Sequence, residues 1–196
     1  IMGGHMVRRL SEAGFDMAAW NRSPGKTASL KDLGIEVASS AVAAATAKDF
    51  VICMLSSGPV CDEVLFGEGG VIDAMQTGST LIVMSSIPVE TARKQADICR
   101  QKGIFYIDAP VSGGEKGARG GTLAIMAGGE VGDVAAMQRV FAAMGRLTPV
   151  GPVGSGQLAK LANQMIVASS ICTVAEALLL AERGGADPAR VREALL

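Results

Sequence analysis

Histidine is almost missing from this chain: His5 is the only one in 196 residues. A zinc cluster or Ser-His constellation built on several histidines is therefore excluded. Aromatic residues make up only 4% of the sequence, and Ala, Gly, Val and Met fill their place. Neither sign of charge dominates. A formal charge of −1 leaves no electrostatic footprint for nucleic acid or an anionic membrane, so small molecules or further copies of the chain are the expected partners. The four cysteines (Cys53, Cys61, Cys99, Cys172) are widely spaced and form no C-x-x-C pair. Cys53, Cys99 and Cys172 lie in runs that read as strand or helix, which predicts reduced core thiols and a cytoplasmic protein. No signal peptide is expected, because Arg8 and Arg9 follow the opening Gly and Met residues almost at once. Residues 161–175 are uncharged but carry Asn163, Gln164, Ser169, Ser170 and Thr173, too short and too polar a stretch for a membrane span.

What is present is an alternation. "FDMAAW" (15–20) precedes "SPGKTASLKDLG", which reads as a helix with Pro24 near its start and Gly34 as its stop. "DFVICML" (49–55), "STLIVM" (79–84), "GIFYIDAPV" (103–111) and "GTLAIMAGG" (121–129) are apolar runs of strand length. Helical stretches lie between and after them, including "PVETARKQADICRQKG", with Glu90 and Lys94 spaced for an i,i+4 pair, and "VGDVAAMQRVFAAMG". Apolar strands alternating with amphipathic helices predict an α/β fold with a mostly parallel sheet covered on both faces. After "LTPVGPVGSG" the rhythm changes to one helix over 156–184, ended by Gly184 and Gly185. Asp187 and Pro188 then cap a further helix. The division expected is a dinucleotide-binding domain at 1–153 and the start of a helical domain at 154–196.

The opening "IMGGHMVRRLSEAGFDMAAWNRS" reads as an amphipathic helix leading into a strand, the second half of a Rossmann unit. Gly3 would be the last glycine of G-x-G-x-x-G, although one glycine before a helix also suits ordinary helix–strand packing. About 18 residues on, where an acid would bind a ribose 2′-hydroxyl, stand Asn21, Arg22 and Ser23. A guanidinium and a hydroxyl suit a 2′-phosphate, which favours NADP over NAD; a solvated loop arginine is the alternative. "DAPVSGGEKGARGGTLAIMAGG" (108–129) has neither the spacing nor the G-K-[ST] of a P-loop. Ser112, Gly113 and Gly114 follow a strand and could offer a hydroxyl and bare backbone N–H groups to a carboxylate. Glycine count alone favours a tight turn between two strands.

Lys160 is the only charged side chain between Arg146 and Glu176. It must snorkel to water, pair outside its stretch, or do chemistry; for an arbitrary lysine snorkelling is the expectation. No partner for it within the chain is foreseen.

"DAPVSGG", "GTLAIMAGG" and "GSGQLAKLANQ" together resemble the β-hydroxyacid dehydrogenase family, which includes 3-hydroxyisobutyrate dehydrogenase, tartronate semialdehyde reductase and the glyoxylate/succinic semialdehyde reductases. The resemblance covers the whole chain. "DEVLFGEGG", "SGGEKGARGGTLAIM" and "EALLLAERGGADPARVREAL" are most similar to the tartronate semialdehyde reductase branch. It implies a Rossmann-type sheet followed by a helical domain, with a long helix between them. It implies that Ile1, Met2 and Gly3 close the dinucleotide loop and that Asn21, Arg22 and Ser23 face the adenosine ribose. Met54 and Leu55 would line the cofactor cleft, with Ser86 near the nicotinamide ribose. Ser112, Gly113 and Gly114 would hold the substrate carboxylate, Lys160 would be the catalytic lysine, and Asn163 would help orient substrate.

Three features depart from the family pattern. The first strand and the two earlier glycines do not precede Ile1. "VMSSIPVE" (83–90) is short, lacking an acid before Met84 and a small polar residue between Ile87 and Pro88. The later cofactor-closing lysine of the helical domain is not within the sequence. The activity implied is hydride transfer between NADP(H), with NAD possible, and a small aldehyde acid. Tartronate semialdehyde leads, with 3-hydroxyisobutyrate dehydrogenase and glyoxylate or succinic semialdehyde reductase activity as alternatives. A homo-oligomer, dimer or tetramer, is implied as well. A non-catalytic dinucleotide-binding module is the rival from another class, and retention of Lys160 and the Ser112 turn counts against it. Decarboxylation of a phosphorylated sugar acid would call for basic residues reading a phosphate, and only Lys116 and Arg119 stand near that turn.

Overall fold

A computed structural model describes residues 2–195 and divides after Lys160 into two compact units. The first unit opens with α1 (Met2–Glu12), which turns Met6 and Leu10, four residues apart, into the core. β1 (Ala18–Ala19) follows and, past α2 (Ala28–Lys31), pairs in parallel with β2 (Glu36–Val37). The continuous helix expected over 23–34 is instead a 3₁₀ turn at Pro24–Lys26 followed by α2. The Thr27 hydroxyl and backbone N–H both donate to the Pro24 carbonyl, closing an i→i+3 turn where an α-helix would have continued.

Three short helices escaped the sequence reading. They are α3 (Ala41–Ala45), capped by the Ser40 hydroxyl, and, beyond β3 (Phe50–Cys53), α4 (Gly58–Phe66) and α5 (Val71–Ala74). Then come β4 (Thr80–Val83), α6 (Val89–Gln101), β5 (Phe105–Asp108), β6 (Val111–Ser112), α7 (Gly114–Gly120) and β7 (Leu123–Gly128). On α6, Glu90 pairs with Arg93 at 3.0 Å rather than with Lys94. After α8 (Val131–Ala136) and α9 (Gln138–Ala142), broken at Met137, the chain forms β8 (Gly145–Gly151).

The larger sheet runs β3-β4-β5-β7-β6, with β8 paired to β7. β3, β4 and β5 are parallel and in register through Phe50, Thr80 and Phe105, and β8 is parallel to β7; only the β5–β7 and β6–β7 pairings are antiparallel. Both faces are covered, as continuous apolar strands require. Ile82, Met84, Ile107 and Ile125 pack with Met6, Leu10 and Phe141 on one side. Leu81, Val83 and Tyr106 pack with Cys61, Leu65, Ala92 and Cys99 on the other. β1 and β2 form a separate two-stranded sheet, so the β3 edge facing away from β4 has no strand partner among the described residues. Cys53, Cys61 and Cys99 are buried, but Cys172, expected in the core, is exposed.

The second unit holds the remainder of α10 (Ser155–Arg183) and α11 (Pro188–Leu195), whose start is capped by Asp187 Oδ1 accepting the Ala189 N–H at 2.9 Å. At 29 residues, α10 is about 43 Å long at 1.5 Å per residue. By length and composition it could cross a membrane, contrary to the reading of residues 161–175 taken by themselves. Met165, Ile166, Ile171, Val174 and Leu180 are exposed and spread around its circumference.

Candidate active site

The site is organised by a buried acid that sequence reasoning passed over. Asp108 ends β5 at 0% exposure. Its Oδ1 accepts the Gly154 N–H at 2.7 Å and its Oδ2 the Gln157 N–H at 2.9 Å, so its carboxylate caps the first turn of α10. Burial pushes the carboxyl up to about 6, and those two backbone N–H groups pull against the rise. Such close approach needs glycine: a Cβ at Gly156 would strike the carbonyl oxygens of Asp108 and Met126.

One turn further along α10, Lys160 Nζ donates to the Val111 carbonyl oxygen at 2.8 Å. The lysine therefore neither snorkels freely nor lacks a partner, against the expectation from its uncharged surroundings. Burial lowers its pKa below the ordinary lysine value. The bond sets the ammonium beside Ser112, the next residue of β6. Beyond Ser112, Gly113 at φ 127° and Gly114 at φ 59° adopt backbone conformations that side chains rarely enter. Both glycines are exposed and Ser112 is half-buried. α7 is tied to α1 by a 3.2 Å contact between His5 Nε2 and Glu115 Oε1.

On the dinucleotide side, Gly3, Asn21, Met54 and Leu55 line one cavity of about 610 Å³. The cavity also runs between β1 and β3, where Ala18, Ala19, Phe50 and Ile52 line it. Arg22 and Ser23 are not among the residues lining it; both are exposed, and the Ser23 N–H donates to Asn21 Oδ1 at 2.9 Å. Met2 begins α1, and Ile1 lies outside the described residues. These residues fit a dinucleotide: α1 has no acid in its first turn, a Cβ at Gly4 would meet open space, and one at Gly3 would touch Met54 Cβ at 3.9 Å.

Ser86 is exposed after β4, whereas its neighbour Ser85 is buried. Ser85 Oγ accepts the Leu55 N–H at 2.7 Å. The Gln157 amide reaches the same segment, Nε2 donating to the Ser85 carbonyl at 3.0 Å and Oε1 accepting the Ile87 N–H at 3.1 Å. Asn163 belongs to the second unit, where its Nδ2 donates to Gln164 Oε1 at 3.2 Å. Ser85, Asp108 and Gln157 were all missed. The one available signal was an acid closing an otherwise apolar strand. Among the described residues no three His, Cys, Asp or Glu side chains gather as a metal site.

A family model described as the NAD binding domain of 6-phosphogluconate dehydrogenase matches residues 1–156. A second, described as the NAD-binding region of NADP-dependent 3-hydroxyisobutyrate dehydrogenase, matches residues 154–196. The chain is 43% identical to the 2-hydroxy-3-oxopropionate reductase of Escherichia coli over its whole length, which spans 67% of that protein. It is 36% identical to the 3-hydroxyisobutyrate dehydrogenase of Pseudomonas aeruginosa, covering 99% of this chain and 65% of that one. The structure of 3-hydroxyisobutyrate dehydrogenase from Mycobacterium tuberculosis with L-serine superposes with a TM-score of 0.87 at 33% identity, over 95% of this chain and 63% of that one. The Rossmann-type sheet, the sequence match along the whole chain and the two family models agree: the chain belongs to the β-hydroxyacid dehydrogenase family of NAD(P)-dependent oxidoreductases.

Proposed function

We propose that the protein reduces a small aldehyde acid with NADPH, and that 2-hydroxy-3-oxopropanoate (tartronate semialdehyde) is its substrate. The observation that carries this reading is the 2.8 Å bond from Lys160 Nζ to the Val111 carbonyl, which aims an ammonium beside the Ser112 turn. An ammonium has three N–H donors. One is spent on Val111 and fixes the direction of the head group, leaving two for a substrate oxygen.

The dinucleotide, held by Met2, Gly3, Asn21, Arg22, Ser23, Met54, Leu55 and Ser86, supplies the hydride. The Ser112 hydroxyl and the N–H groups of Gly113 and Gly114 receive the substrate carboxylate. Lys160 hydrogen-bonds the carbonyl oxygen and protonates it as it becomes an alkoxide; in the reverse direction it takes that proton back. Partial burial makes the ammonium a readier proton donor than a solvated lysine. Asn163, three residues along the same helix, helps orient the substrate.

Residues 1–153 serve as the dinucleotide-binding domain, and residues 154–196 belong to the helical domain. The apolar circumference of α10 is covered by protein, in a cytoplasmic homo-oligomer. The preference for tartronate semialdehyde is supported by the 43% identity to the E. coli reductase, against 36% to the P. aeruginosa dehydrogenase. The test is a substrate panel on the intact protein with NADPH and NADH. The highest kcat/KM is expected for tartronate semialdehyde with NADPH. Faster turnover of methylmalonate semialdehyde, glyoxylate or succinic semialdehyde would replace the substrate assignment, and no turnover of any aldehyde acid would remove the reaction class.

A further inference from the structure

Two walls meet in the candidate site, and one buried side chain bridges them. The first wall is the end of β3 with Leu55 and the segment Ser85–Ile87; the second is the opening of α10, which carries Lys160. Gln157 lies between them at 1% exposure. Its amide donates to the Ser85 carbonyl at 3.0 Å and accepts the Ile87 N–H at 3.1 Å, while its backbone N–H donates to Asp108 Oδ2 at 2.9 Å. Ser85 passes the connection on, its hydroxyl accepting the Leu55 N–H at 2.7 Å. We infer that Gln157 is a positioning residue for hydride transfer: its amide fixes the cofactor-facing Leu55–Ser85 wall against the helix turn that carries Lys160.

The assignment follows from geometry. Gln157 and Lys160 are three residues apart on α10, so a rotation or slide of that turn moves both together. Both polar ends of the amide are used, on two different backbone groups of one segment, which permits a single orientation of that segment relative to the helix. Buried at 1% exposure, the amide has no solvent competing for its partners. A side chain that only filled space here would be apolar, and one that only satisfied the Ile87 N–H would need no donor. A reaction that moves a hydride from one wall while a lysine on the other supplies the proton depends on that spacing, because small misplacements of reacting groups cost large factors in rate.

This inference rests on the reading of Lys160 as proton donor. It is tested with Gln157→Met, which keeps the volume and removes both amide bonds, and with Gln157→Glu, which keeps an acceptor for Ile87 and removes the donor to Ser85. In the intact protein each variant is assayed for kcat, KM, the primary deuterium isotope effect with deuterated NADPH, the melting temperature, and hydrogen exchange at the Ile87 amide. Gln157→Met is expected to lower kcat roughly 10- to 100-fold, to leave KM for the aldehyde acid within about twofold, and to raise the isotope effect as the chemical step slows. The Ile87 amide should exchange faster while the protein remains folded. A folded variant with wild-type kcat and isotope effect overturns the inference. If Gln157→Met does not fold, Gln157→Glu decides by the same two numbers. An active wild-type protein with unaffected variants removes the inference alone, whereas an inactive wild-type protein removes it together with the reaction on which it rests.

Discussion

The two sides of the candidate site are built by opposite means. On the lysine side the side chains around the start of α10 are held by others: Asp108 by Gly154 and Gln157, Gln157 by Ser85 and Ile87, Lys160 by Val111. On the dinucleotide side the residues assigned to the ribose lie at the surface, Arg22 and Ser23 exposed and Asn21 half-buried, and the Ser23 N–H donates to Asn21 Oδ1. A proton transfer needs direction, which buried hydrogen bonds provide because few alternatives compete with them. Holding a long charged ligand needs shape and reachable charge, which glycines and an exposed arginine provide. Substitutions should therefore act sharply on rate on the first side and more gently, on affinity and choice of cofactor, on the second.

The largest effect should come from Lys160. Lys160→Met keeps the aliphatic stem and is expected to lower kcat by about 10²–10⁴-fold, the range of a lost general acid. It also takes a donor from the buried Val111 carbonyl, so a stability loss of about 1 kcal/mol should accompany it. Lys160→Arg should not restore the rate, because guanidinium holds its proton too tightly at neutral pH. NADPH affinity should change little. Steady-state kinetics with cofactor titration and a melting curve check all three parts; near-normal kcat would return the lysine to a purely structural role.

The contrast between the two sides also decides what the sequence reveals. Long apolar runs announced β3, β4, β5 and β7, most fully β4, whose four residues are all buried and leave no room for charged side chains. β8 was missed because "GRLTPVG" carries an arginine, a proline and two glycines and leaves most of its side chains exposed. The short helices α3, α4 and α5 hold too few turns for a period to show. Lys160 stood out by its isolation, but its partner is a backbone carbonyl 49 residues away, which no side-chain pattern reveals. Gln157 and Ser85 were silent for a related reason: each acts on backbone groups, and a lone amide or hydroxyl in a sequence does not say which backbone it will meet.

Asp108 gives the next effect, one of stability. Its carboxyl rises from the ordinary 3.8 to about 6 on folding, so between these values the native state binds the proton more readily than the unfolded chain. The group's contribution to stability is therefore greatest below about pH 4, falls as pH rises through 6, and is level above that. Two pH units correspond to on the order of 3 kcal/mol. Asp108→Asn should abolish this slope, while its single acceptor oxygen satisfies only one of the Gly154 and Gln157 N–H groups. Urea unfolding of wild type and variant across pH 4–7 checks it; parallel profiles for the two proteins would show that the slope arises elsewhere.

The smallest effect is expected at Arg22, on the exposed side. The guanidinium stands in solvent beside the turn in which the Ser23 N–H bonds Asn21 Oδ1, and no acid occupies the position that would select a free ribose hydroxyl. If it reads a 2′-phosphate, it does so through charge-assisted hydrogen bonds worth about 1.5–3 kcal/mol, a factor of roughly 10–100 in affinity. Arg22→Asp should weaken NADPH by at least that factor, since it replaces an attraction with a repulsion, and should leave NADH equal or improved. Because the residue is exposed, the melting temperature should hardly move, and kcat with saturating NADPH should stay within a few-fold of wild type. Raising the salt concentration should narrow the gap between wild type and variant, because solvent-exposed charges are screened within about 10 Å at 0.1 M. Titration of both dinucleotides at two ionic strengths measures all of this. An unchanged NADPH to NADH ratio would mean that the arginine is a solvated loop residue and that the phosphate, if bound, is read elsewhere.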